Sequence, residues 1–325
     1  MDWKRFIRFN EVPSSQASLA LAVIALGHAW SLYVPKIGPF TRQYCAIFGA
    51  LLLIPVLIKY FTNFSLFIRD LQNPLTGSLM APITMALLVL CDYLAAISPL
   101  IAYPIWFSAL LLHLVMMILF FFFQIVNFKM SHLLPSWFLY PVGMISSSLA
   151  GTQFGHTVFS STLVNICVAI YFFMLPVVLY RLVFEGMVPK RARPTLAIMA
   201  APINLTLAAY LVNYKHADPI LTGALAGIAI TMTVLVYLCY LKLLKSKFQP
   251  SIATVTFPSV ISAVAMHHLT TFFAAYYPHW HWLHHFGWFE LSVATGLVIW
   301  VTFGYIKMYW PEIINKQKDI KNNVP

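Results

Sequence analysis

Residues 250–266 read PSIATVTFPSVISAVAM, an apolar run that opens on Pro250 and meets a second proline, Pro258, beside Phe257. Four other runs place a proline near their start: Pro13 in EVPSSQASLALA (11–22), Pro82 in LMAPITMALL (79–88), Pro141 in FLYPVGMISSS (138–148) and Pro202 in MAAPINLTLAAY (199–210). The intervals between the five prolines are 69, 59, 61 and 56 residues. A near-constant period of that kind marks a repeat architecture, with one unit of about 60 residues used five times.

Hydrophobic residues make up 61% of the 325 and charged residues 9%. Such a chain cannot cover itself with polar surface in water, and it reads as an all-α polytopic membrane protein. Residues 1–325 form a single transmembrane domain with short tails at 1–13 and 308–325. The net charge of +11 would suggest a nucleic-acid partner in a soluble chain. Here the basic residues sit in short loops and at helix ends, where they set orientation in the bilayer, so nucleic acid is excluded as a partner. Lys4, Arg5 and Arg8 precede an apolar run without a small-residue cleavage site, which makes it an uncleaved first span. Cys45, Cys91, Cys167 and Cys239 all fall inside apolar runs without zinc-site spacing.

The apolar runs give ten spans: Ser14–Tyr33, Tyr44–Tyr60, Gly77–Ile97, Ile101–Phe128, Leu134–Thr152, Val158–Phe184, Thr195–Val212, Leu221–Leu243, Ile252–Tyr276 and Phe286–Lys307. With both termini on one side, that side carries 17 Lys and Arg, and the other only Lys36, Arg42 and Lys215. The split predicts an inner or plasma membrane protein with cytoplasmic termini. All five prolines then fall at odd-numbered spans, in the cytoplasmic half, so the repeat is a helical hairpin. Pro74, Pro135, Pro194 and Pro250 precede Pro82, Pro141, Pro202 and Pro258 by six to eight residues. The earlier proline suits an opening turn, while the later one removes a bond within the helix, so each of these helices is expected to kink about two turns in. Pro13 is expected to kink the first.

Polar residues follow the same parity. Ser18, Thr84, Ser146, Thr206 and Ser262 lie in odd spans, whereas even spans such as FSALLLHLVMMILFFFF are apolar on nearly every face. Hydroxyls at membrane depth need water or protein partners, and helices apolar all round can face lipid. The expected architecture is an inner ring of five kinked odd helices forming a pore, with those five hydroxyls as its lining, inside an outer ring of five even helices. The odd spans contain no Lys or Arg. A neutral kinked path with freed N–H groups and oriented helix ends suits weakly held anions. Phe257 stands where a ring could plug such a path, and equally is one of 26 phenylalanines that simply pack.

Asp92 (in LVLCDYLAA) and Glu290 (in GWFELSVA) are ionisable groups in the outer half, and with His267 or His268 they would make a proton-sensitive element. HWHWLHHFGWFE, from His279 to Glu290, contains His281, His284 and His285 at the spacing of one desaturase histidine box. One box alone does not build an iron or zinc enzyme, and an interfacial aromatic belt with Trp280, Trp282 and Trp288 accounts for the stretch better. No phosphate loop, triad or carboxylate pair is present, so neither an enzyme nor a cofactor is expected.

The chain resembles the tellurite-resistance/dicarboxylate transporter (TDT) family, which includes bacterial TehA and the plant slow-type anion channels. The resemblance is carried by PSWFLYPV (135–142), RPTLAIMAAPINLTLAAYL (193–211), APITMALLVLCDYL (81–94) and TFPS (256–259), while PSSQASLALA in the first span departs from TehA-like members. It implies five tandem hairpins around a five-helix pore, a homotrimer with one pore per protomer, and occlusion by a ninth-span phenylalanine that corresponds to Phe257. The substrates it implies are small anions such as chloride, nitrate or sulfite, or C4-dicarboxylates, moved passively or with proton coupling.

Overall fold

A computed structural model describes the backbone of residues 9–276 and 282–322 and the side chains of 9–274 and 282–309. In chain order the α-helices are α1 Gln16–Tyr33, α2 Gly38–Thr62, α3 Phe64–Gln72, α4 Pro74–Ser78, α5 Ala81–Ile97, α6 Pro99–Val126, α7 Ser146–Gln153, α8 Thr157–Phe184, α9 Ala201–Asn213, α10 Pro219–Leu243, α11 Thr256–Tyr276 and α12 Leu283–Asn322. Among the described residues, nine helical stretches are long and apolar enough to cross a membrane. The fifth expected span is a broken path, with 3-10 turns at Pro135–Leu139 and Gly143–Ile145 before the short α7. The protein is a multi-pass, all-helical membrane protein.

Burial separates the spans by parity. In the odd stretches among the nine, 67–89% of the most apolar window is buried, against 28–39% in the even ones. Contacts of α1 with α5, α5 with α7, α7 with α9, α9 with α11 and α11 with α1 close a cycle of odd helices. Each even helix packs on the odd helix before it and on the next one round: α2 on α1 and α5, α6 on α5 and α7, α8 on α7 and α9, α10 on α9 and α11, α12 on α11 and α1. The last seam joins residues far apart in the chain. Ser15 and Tyr305 share a 3.1 Å hydrogen bond, Trp30 Nε1 donates to Thr295 Oγ1 at 3.1 Å, and Tyr33 Oη donates to Ala263 O at 2.8 Å.

The prolines act differently from the expected kink. Arg193–Ala200 and Pro250–Val255 are 3-10 helix, and Pro74–Ser78 is a short separate helix. The α-helix proper then starts afresh at Ala81, Ala201 and Thr256, which places Pro82, Pro202 and Pro258 in a first turn where the missing N–H breaks no bond. Pro141 lies in the turn between two 3-10 segments. Pro13 precedes α1 by three residues and kinks nothing, because the helix begins only at Gln16. Hydroxyls near these restarts bond back to the backbone of their own helix. Ser78, Thr84, Ser147, Thr195, Thr254, Thr256 and Ser262 each donate to the carbonyl three residues earlier, at 2.6–2.9 Å.

Two packing details hold the spans in register. His113 of α6 is fully buried between Thr84 Oγ1 (2.6 Å) and Tyr140 O (2.8 Å), tying three consecutive spans together. A Cβ on Gly27 would lie 2.6 Å from Cys45 Cβ and 3.0 Å from Thr41 O, so α1 and α2 approach as closely as glycine allows. Gly27→Val is therefore expected to cost about 1–3 kcal/mol through overpacking. The readout is the thermal midpoint in detergent, and an unchanged midpoint would refute this close approach.

Candidate functional site

Two internal chambers lie along the axis of the odd-helix cycle. The first, narrow enough to hold about one water molecule at roughly 10 Å³, is lined by Ser18, Leu21, Pro82, Leu139, Ile198, Ala201, Thr254, Phe257 and Pro258. The second, of about 30 Å³, takes Ala25 and His28 from α1, Val89 and Asp92 from α5, and Leu149 from α7. Four residues of α9 and Phe257, Ile261, Val264 and His268 of α11 complete it. Every odd span contributes to both, earlier residues to the first and later ones to the second, so the five run parallel. Phe257, which is 4% exposed, lines both chambers and stands between them. It owes that position to the α11 restart, since Pro258 in the opening turn fixes where the helix begins.

The lining is more apolar than the expected hydroxyl surface. Of the five candidate hydroxyls, only Ser18 lines a chamber; its Oγ has no protein partner. Thr84 turns outward to His113, which corrects its assignment to the lining: the Ala81 carbonyl and the buried imidazole claim its hydroxyl. Ser146, Thr206 and Ser262 are buried but line neither chamber. The Ser262 hydroxyl goes to Ser259 O, and those of Ser146 and Thr206 carry no protein partner.

Charge is concentrated at the far end of the second chamber. One Asp92 carboxylate oxygen accepts from Arg42 Nη2 of α2 and the other from Gln153 Nε2 of α7, which also donates to Asp92 O at 3.1 Å. Asp92 thus pairs with arginine rather than with a histidine. His268 lines the chamber, whereas His267 packs its ring against Tyr33 with centroids 5.0 Å apart. Glu290 is buried on α12 beside Tyr33, Tyr237 and Ser262, away from both chambers, with Oε2 unpartnered. His279, Trp280 and His281 lie outside the described residues. His284 accepts a hydrogen bond from Trp288 Nε1 at 2.9 Å and stacks on Tyr33, and among the described residues no three His, Cys, Asp or Glu side chains converge as metal ligands.

Sequence reading misses His28, Arg42 and Gln153. A signal for His28 is there: Ser18, Leu21, Ala25 and His28 repeat at intervals of 3, 4 and 3, as do Phe257, Ile261, Val264 and His268 at 4, 3 and 4. Such spacing marks one helix face.

The family model described as voltage-dependent anion channel (SLAC1) matches residues 14–308. A curated protein of Methanocaldococcus jannaschii, described as an uncharacterized transporter, is 28% identical over 222 residues. That alignment covers 62% of this chain and 63% of the relative's length.

Proposed function

This chain belongs to the voltage-dependent anion channel (SLAC1) family, and we propose that it conducts small anions along the axis of its five odd spans past Phe257. The observation that carries the reading is the position of Phe257, which lines both chambers and lies between them. The apolar walls and the mutually neutralised Arg42 and Asp92 support a path that holds its anion weakly, as conduction requires. Helices α1, α5, α9 and α11 begin near the first chamber, and their N-terminal N–H groups and dipoles favour an anion there over a cation. The excess of basic residues puts the proline end in the cytoplasm. We further propose a homotrimer with one path per protomer.

The second reading, proton-coupled transport of a C4-dicarboxylate or sulfite, draws on Asp92 and His268 in the second chamber. One experiment separates the two. Proteoliposomes loaded in turn with chloride, nitrate, sulfite, malate or succinate are assayed with and without a pH gradient. Downhill flux of inorganic anions indifferent to the gradient is the expected result. Uphill accumulation of malate, succinate or sulfite driven by the gradient would replace the channel reading with the coupled one.

A further inference from the structure

Between the second chamber and the surface stands the Arg42–Asp92 pair, and its two members face different spaces. Asp92 lines the chamber. Arg42 lines an open cleft of about 630 Å³ on the other side, with Ser31, Gln43, Tyr93, the loop proline Pro35 and Pro39 of the first turn of α2. Solvent reaches them unequally: the arginine side chain is 23% exposed and the aspartate 11%. A guanidinium carries five N–H donors in a planar fork. Among the described residues, Arg42 Nη2 donates to Asp92 and its remaining donors have no protein acceptor, while the guanidinium lies over the Tyr93 ring at 5.8 Å. The carboxylate itself is held from behind by Gln153.

We propose that Arg42 is an anion-recognition site at this mouth of the path, and that the Asp92 carboxylate occupies one of the two places on its fork as a tethered stand-in for the incoming anion. An unpaired carboxylate at the entrance would repel every permeating anion; paired, it is silent. An anion arriving in the cleft takes the free donors of Arg42 and weakens the bond to Asp92, and Gln153 keeps the released carboxylate against α7. The fork fits planar oxyanions and carboxylates, such as nitrate or a monocarboxylate, in bidentate fashion, better than a spherical halide. His28 of α1, a further titratable neighbour of Arg42 beside Tyr93, lines the second chamber and makes no hydrogen bond to the pair. The proposal deepens the conduction reading, and it can fail separately.

The test is a nitrate titration at constant ionic strength of the detergent-solubilised full chain, read as thermal stabilisation, alongside nitrate flux in proteoliposomes. Nitrate stabilises the wild-type protein. Arg42→Gln is expected to raise the half-saturating nitrate concentration about tenfold in both assays, as loss of a charge-assisted hydrogen bond to a ligand does. Asp92→Asn, which retains an amide for Gln153, is expected to lower it by a similar factor because the competing carboxylate is gone. Arg42→Lys, which keeps the charge but not the planar fork, should lose the preference for nitrate over chloride. An Arg42→Gln protein with wild-type half-saturation, or an Asp92→Asn protein with unchanged or weaker binding, overturns the proposal. The binding arm does not depend on flux, so a chain that binds nitrate through Arg42 but conducts nothing would sink the conduction reading alone.

Discussion

Phe257→Ala is expected to raise anion conductance in planar-bilayer recordings by about tenfold or more, equivalent to removing a barrier of ~1.4 kcal/mol. The ring is the side chain shared by the two chambers, and alanine in its place joins them. Nothing else is available to fill the gap from the same turn, because the preceding residues are committed to the 3-10 segment Pro250–Val255 and the next is Pro258. Truncating a phenylalanine in a filled core costs about 3–5 kcal/mol, part of it for the cavity created. Phe257 is 4% exposed between cavities of only about 10 and 30 Å³, so the loss should fall within that range and read out as a lower thermal midpoint in detergent. Phe257→Leu, a smaller obstruction, is expected to conduct at an intermediate level. A folded Phe257→Ala protein with wild-type conductance would remove Phe257 from the role of barrier.

The largest effect on stability is expected from Asp70→Ala. Lys59 is buried near the end of α2, with its side chain 6% exposed, and its ammonium donates to Asp70 Oδ2 at 2.9 Å and to Val12 O at 3.0 Å. Tyr60 Oη donates to the same carboxylate oxygen at 3.0 Å, and the ammonium lies 4.7 Å from the Tyr60 ring centre. Removing the carboxylate leaves a buried cation without its counter-ion, which costs about 3–5 kcal/mol. The expected readout is a marked fall in thermal midpoint and in monodisperse yield in detergent. Replacing both partners, as in Lys59→Met with Asp70→Leu, should recover most of the loss, since the cost lies in the orphaned charge rather than in the missing attraction. An Asp70→Ala protein that melts like the wild type would show that Lys59 is not dependent on this carboxylate. By contrast, the Arg69–Asp70 contact at 4.0 Å involves a side chain 76% exposed and contributes little.

The arrangement of the spans is legible because it is written in quantities that repeat: a proline period, a parity of polar residues and a charge asymmetry. What those quantities lack is the rotation of each helix about its own axis. Thr84 and Asp92 lie on one helix eight residues apart, yet the first turns to His113 and the second into the chamber. The premise that polar groups seek water assigns the hydroxyls to the pore. In the folded chain Thr84 and Ser262 instead bond back to the carbonyl three residues earlier, while Ser146 and Thr206 are buried away from both chambers. The expected kinks fail because the helix restarts just before the proline, after 3-10 turns or a short separate helix, an alternative that no residue-type count reveals. Helix α3 leaves no mark in hydropathy because FSLFIRDLQ is too short and too polar to resemble a span. It still anchors the chain by burying Leu66 and Leu71 and supplying Asp70. Arg42–Asp92 joins two spans whose register is invisible in one dimension, even though Asp92 itself stands out as an acid in an apolar run.

The seam between α1 and the last hairpin also fixes the order in which the molecule can be completed during synthesis. Ser15, Trp30 and Tyr33 wait for Tyr305, Thr295 and Ala263, partners that lie 290, 265 and 230 residues downstream. At a ribosomal rate of ~5–20 residues per second the Ser15–Tyr305 interval lasts roughly 15–60 s. Throughout that time the first span, whose mean hydropathy of 1.2 is the lowest among the nine, sits in the bilayer with one flank uncovered. A nascent chain that stalls before its tenth span holds an open circle with its least lipid-compatible helix at the edge, which makes that unfinished state the natural target of membrane quality control.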